Sequence, residues 1–209
     1  MRCDPCQLLD DLHRVDWETG IRIYGNHHST LIGLLTQWWV QSSPDRHSAV
    51  EAGPTNGYRE TGKRGQCDAM FCLDESPIGV LEVEGTRLIE TARKIGYFFD
   101  ARYPELSTLE FAILLVYAYE PTGIGTNRNF LPAVSVNLSE VVAEITRTHS
   151  TKSILLLGLN KQFERCHNGI RSKNEYYMGT PTEISGQCWQ AGKIVASRQF
   201  VTNRQRTNR

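Results

Sequence analysis

The sequence is short of the features that would take it out of the class of folded globular domains. No run approaches the roughly 18 apolar residues that span a bilayer, and the opening Met1-Arg2-Cys3-Asp4-Pro5-Cys6 carries no apolar stretch of signal-peptide length. The expected setting is therefore the cytoplasm, with no membrane partner. No internal repeat and no low-complexity segment is visible, which argues against a solenoid or a string of linked modules. A Gly-rich phosphate loop is missing too, because Gly123-x-Gly125 lacks the following Lys-Ser/Thr and helix. Net charge is also absent, with 23 Lys and Arg against 23 Asp and Glu, which excludes a uniformly basic nucleic-acid binder.

Cysteine is not scarce: six thiols stand at positions 3, 6, 67, 72, 166 and 188. In a reducing compartment they read as free thiols or metal ligands before disulfides. Cys3-x2-Cys6 and Cys67-x4-Cys72 would make a four-thiolate zinc set, but Cys67 and Cys72 are expected on opposite sides of one strand. Buried thiols are the preferred reading, and Cys166-His167 with Cys188 is a weaker version of the same zinc idea.

Length and composition fit one α/β domain, expected over residues 1–201, with a flexible basic tail at 202–209. The charge is unevenly spread. Residues 151–209 hold ten Lys or Arg against three Asp or Glu, whereas residues 1–150 hold 13 against 20. An acidic first part and a basic last part suit a carboxylate site beside a phosphate-binding surface, although a solvated basic tail explains the same pattern.

The spacing of Leu31, Leu34, Leu35 and Trp38 predicts a helix over 29–41, with Trp38 in the core and Trp39 partly exposed or interfacial. A long loop rich in Gly, Pro and basic residues follows from Pro44 to Gln66, broken by a short strand at 49–52. Cys67–Leu73 and Ile78–Val83 form a hairpin around Asp74-Glu75-Ser76-Pro77. A helix over 87–101 follows, N-capped by Thr86, with Leu88, Ala92, Ile95 and Phe99 as its apolar stripe. Residues 109–119 and 153–159 are continuously apolar and read as strands covered on both faces, with a helix over 139–148 between them. The whole is an α/β fold with a mixed central sheet flanked by helices.

Two carboxylates, Glu82 and Glu84, interrupt the end of the second hairpin strand, where burial is costly without compensation. Side chains alternate along a strand, so both project from one face about 6.6 Å apart, a spacing that invites a cation. Asp68 on the preceding strand supplies a third oxygen donor if the hairpin loop is odd in length or a β-bulge corrects the parity. Oxygen ligands favour Mg²⁺ or Mn²⁺ over zinc.

Asp68, a turn, then Glu82-Val83-Glu84 before a helix resembles the PD-(D/E)XK phosphodiesterase superfamily, the restriction-endonuclease-like fold. The motif spans about residues 66–101, and the predicted elements from 49 to 159 follow the family order αβββαβαβ. The resemblance implies metal binding by Asp68 and Glu82, with Asp68, Glu82 and Glu84 as the catalytic set. Glu84 stands where the family usually has Lys, as in some restriction endonucleases, and Cys67 stands where Pro is common. Lys94, on the polar side of the next helix, is a candidate for the missing positive charge.

A metal-dependent endonuclease hydrolysing DNA, of restriction type and homodimeric, is the leading functional reading. The alternatives are a non-catalytic nucleic-acid-binding module on the same fold and a zinc-stabilised interaction protein. Nucleic-acid contacts are expected from Tyr58, Arg59, Lys63 and Arg64 in the long loop and from Lys161, Arg165, Arg171 and Lys173. His27-His28 read as polar residues at a helix entrance rather than ligands. Glu18 is too loosely placed to be assigned a role.

Overall fold

The computed structural model describes residues 4–15, 17, 27–52, 65–85, 87–100, 106–117, 136–160, 163–165, 176–178 and 183–201. Along them run α1 (Pro5–Asp11) and a 3₁₀ turn (Leu12–Arg14), α2 (His27–Gln41), β1 (Arg46–Val50), β2 (Ala69–Leu73), β3 (Ser76–Glu84) and α3 (Leu88–Phe99). They continue with β4 (Phe111–Tyr117), α4 (Val136–Thr148), β5 (Ser153–Asn160), β6 (Phe163–Arg165), β7 (Tyr176–Met178), β8 (Glu183–Gln190) and β9 (Lys193–Val201). Seven strands form one mixed sheet in the order β1-β2-β3-β4-β5-β8-β9, and β6 and β7 pair separately.

The centre of the sheet is parallel, β3 with β4 and β4 with β5, and both flanks are antiparallel. The parallel strands account for the continuous apolar runs. On β4, Phe111, Ile113 and Leu115 enter the core under α1 and α2, while Ala112, Leu114 and Val116 enter the core under α3 and α4. Each of these six residues is fully buried, as expected of a strand covered on both faces. The architecture is therefore three-layered, helix on sheet on helix, as the α/β reading anticipated.

Several local expectations shift. The first strand is Arg46–Val50 rather than 49–52. The β2–β3 turn is only Asp74-Glu75, with Leu73 paired to Ser76 and Asp74 at positive φ, because Ser76 and Pro77 join the strand. Trp39 is wholly buried, not interfacial. Its indole N–H donates to the carbonyls of His47 and Cys72, and its ring packs on Phe71 and Phe111 at centroid distances of 5.1 and 5.8 Å. Burying a Trp this deeply requires such a partner for its N–H. Thr86 and the 202–209 tail lie outside the described residues, and Arg87 caps α3 without a side-chain bond.

Helix α1, the 3₁₀ turn and the strands β6 to β9 went unrecognised in the sequence. Helix α1 is capped by Asp4, whose carboxylate accepts the Cys6 N–H at 2.9 Å. The β8–β9 hairpin turns through Ala191 and Gly192, both at positive φ, and extends the sheet beyond β5.

Candidate active site

The hairpin β2–β3 positions the carboxylates. A two-residue turn alone would leave Asp68 facing Leu81, but the register shifts between Phe71 and Cys72 because Ile78 is an extra residue on β3. Beyond this bulge Ala69 pairs with Leu81, where the register ends, and Asp68, one residue before Ala69, donates its N–H to that same Leu81 carbonyl rather than pairing with Glu82. The backbone there is held on both sides: the Asp68 N–H donates to the Leu81 carbonyl at 3.1 Å, and the Glu51 N–H donates to the Asp68 carbonyl at 3.0 Å.

Glu82 shares its face of β3 with Val80, under α3, at the carboxyl end of the parallel strands. Ligands of open α/β sheets gather at that end. The residue is 2% exposed. One oxygen, Oε2, accepts from the Lys94 ammonium at 2.7 Å; the other, Oε1, is buried with no hydrogen-bond partner among the described residues. Burial pushes the Glu82 carboxyl up to about 8, and the neighbouring charges of Asp68 and Glu84 push the same way while Lys94 opposes them.

Lys94 projects from the second turn of α3 and also donates to the Gln66 carbonyl at 2.9 Å, so it spans the β2 entrance and the β3 carboxylate. Glu84 is oriented by local donors, Gly85 N–H at 2.7 Å on Oε1 and the Thr91 hydroxyl at 3.2 Å on Oε2. Asp68 turns its Oδ2 to the Val83 N–H at 2.7 Å, and His28 Nε2 lies 3.3 Å from the same oxygen. Beneath them Cys67 is a buried thiol donating to the Ala52 carbonyl, its pKa pushed up to about 12 by burial first and by the charge of Glu82 next.

No protein-family model matches the chain, and no curated protein matches it either.

Asp68, Glu82 and Glu84 thus act on one another electrostatically around one strand end, and Lys94 completes the group. Thr91 was missed, and His28 was read as a polar residue at a helix entrance rather than as part of the site. The only signal for Thr91 is that it shares with Lys94 the helix edge beside the apolar Ala92, Ile95, Phe98 and Phe99; His28 is brought in purely by the tertiary packing of α2. The zinc pairing is not formed as read: Cys6 meets Cys188, on the far flank of the sheet from Cys67 and Cys72. Among the described residues no three His, Cys, Asp or Glu groups are disposed to hold a metal together. Tyr58, Arg59, Lys63, Arg64, Lys161, Arg171 and Lys173 lie outside the described residues, and Arg165 is placed on β6 by its backbone alone.

Proposed function

We propose that the chain is a Mg²⁺- or Mn²⁺-dependent phosphodiesterase that hydrolyses DNA, a diverged relative of the PD-(D/E)XK nucleases working as a homodimer. The observation that carries this reading is Glu82, a carboxyl buried to 2% exposure with one oxygen on Lys94 and the other without a hydrogen-bond partner among the described residues. A structural carboxyl buried this deeply would be expected to satisfy both oxygens. An orphaned oxygen beside a second carboxylate suits a cation that takes one or two protein ligands and fills its shell with water and phosphate. Asp68 and Glu82 would hold it.

When bound, the cation supplies a water of lowered pKa and neutralises charge on the phosphate. The side chains do the rest. Glu84, fixed by Gly85 and Thr91, accepts the proton of the attacking water. Lys94 supplies the positive charge that the family motif carries at the Glu84 position, and it holds Glu82 Oε2 in place. His28 and the Val83 N–H orient Asp68. A homodimer gives each strand of a duplex its own site.

A second reading, a non-catalytic DNA-binding module, draws on the same ion pair: Lys94 already neutralises Glu82 internally, and no three-residue metal set is arranged among the described residues. Cleavage assays separate the two. Purified protein should cut DNA with Mg²⁺ or Mn²⁺, lose cutting in chelator, and lose it again in Asp68→Ala and Glu82→Ala with folding retained. Equal cleavage by wild type and Asp68→Ala would expose a contaminant. Salt-sensitive DNA binding without metal-dependent cleavage would decide for the binding module.

A further inference from the structure

The thiols of Cys6 and Cys188 lie 3.8 Å apart although 182 residues separate them in sequence. Cys6 opens α1 and is partly exposed; Cys188 is 1% exposed on β8. Among the described residues they are the only two thiols in contact, since Cys67 bonds a backbone carbonyl and Cys72 lies on β2 at the opposite flank of the sheet.

Their setting is tight. Leu8 and Leu9 of α1 are buried against the sheet, and Leu9 Cδ1 lies so close to Gly186 that a Cβ there would meet it at 2.6 Å. On the exposed side of α1, Asp10 pairs with Arg198 of β9. The helix is thus seated in a fixed place over β5, β8 and β9, and the two sulfur atoms face each other across that seam.

We propose that Cys6 and Cys188 form a peroxide-sensitive oxidation site whose disulfide fastens α1 to β8. Cys6, the accessible thiol, is oxidised by hydrogen peroxide to a sulfenic acid with release of one water. The Cys188 sulfur then attacks the Cys6 sulfur, its proton leaves with the hydroxyl as a second water, and the S–S bond forms. Two S–H bonds and one O–O bond are broken, and the two electrons lost by the thiols reduce the peroxide. Cys188 is buried away from free oxidant and lies against the Cys6 sulfur, so proximity within the chain makes it the resolving partner. A thiol reductant reverses the step.

The test uses the reduced full-length chain, treated with hydrogen peroxide and digested without reductant. A cross-linked peptide containing Cys6 and Cys188, lighter by two hydrogens and reversed by dithiothreitol, is the expected product. The oxidised chain should also melt higher by about 5 °C or more, because the bond closes a very long loop. Cys6→Ser and, separately, Cys188→Ala should each abolish the cross-link and the melting shift. A disulfide mapped to Cys3, Cys67, Cys72 or Cys166, an adduct on Cys6 that Cys188 does not resolve, or an oxidised chain that melts no higher would overturn the assignment.

Discussion

Glu82 is neutral more easily in the fold than in the open chain, and this has a sign that can be worked out. Its carboxyl titrates near 4.5 when exposed and at about 8 in the folded chain. Between those values the native state holds a proton that the unfolded state has released, so stability from this group is complete below about pH 4.5 and falls as pH rises to about 8. In chelator, Glu82→Gln, which keeps an acceptor for Lys94, should match wild type near pH 4.5 and exceed it at pH 8.5 by a margin on the order of a few kcal/mol. Urea unfolding at both pH values checks this; a wild-type-to-variant difference independent of pH would refute it. The same variant should lose cleavage. Lys94→Ala removes the cation paired with the buried Glu82 carboxyl and should lower both stability and cleavage, by about 10-fold or more in rate, while Lys94→Arg should restore stability better than activity because its fork replaces a point charge. At this scale the sequence was informative where parity alone decides: Glu82 and Glu84 share a face of β3 because strands have a period of two. It read His28 as a polar residue at a helix entrance, because its contact with Asp68 depends on where the start of α2 comes to rest, and it misplaced Trp39, whose buried indole depends on two carbonyls from separate strands.

Among the elements, those with continuous apolar patterning were legible and those with broken patterning were not. β4 and β5 are buried on both faces, and an uninterrupted apolar run has no other comfortable place. β8 alternates Ile184, Gly186 and Cys188 with Ser185, Gln187 and Trp189, so neither series looks apolar enough to announce a strand. The β8–β9 turn adds to the difficulty, because Ala191 occupies a left-handed conformation, φ 50°, that usually goes to Gly or Asn. Ala191→Gly should relieve that strain and raise stability by about 1 kcal/mol without changing the site, as judged by thermal or urea unfolding. At the sheet centre the opposite holds. A Cβ on Gly79 would meet the Phe111 ring at 2.3 Å, and that ring is packed between Phe71 and Trp39. Gly79→Ala should therefore destabilise by about 1 to 3 kcal/mol and, by disturbing β3 three residues before Glu82, reduce cleavage in proportion. Legibility stopped at the bulge: the sequence states that the turn and the Asp68 parity conflict, and the extra residue Ile78 shifts the register only as far as Ala69, while Asp68 itself bonds Leu81.

At the scale of the molecule, the proposed nuclease function makes one question of the carboxylate end and the basic last quarter, namely which part of the chain would meet the phosphates of DNA. Residues 151–209 carry ten Lys or Arg against three Asp or Glu, and three of those arginines, Arg204, Arg206 and Arg209, fall in the last eight residues. Among the described residues the Glu82 carboxyl at the end of β3 faces Lys94 as its paired cation, so under the nuclease reading further basic residues are expected to attract the polyanion. If the three terminal arginines each neutralise a phosphate, removing residues 202–209 should shift the dependence of log affinity on log salt by about 0.9 per contact, close to 3 in all. Binding should weaken at low salt and converge with wild type at high salt. If the tail serves only to meet phosphate, the melting temperature and the rate of cleavage at saturating DNA should stay unchanged. Fluorescence anisotropy across a salt series measures the slope. An unchanged slope would assign phosphate contact to the other basic residues and leave the tail as a solvated end, whereas a fall in the saturating rate would mean the tail reaches the reacting strand itself.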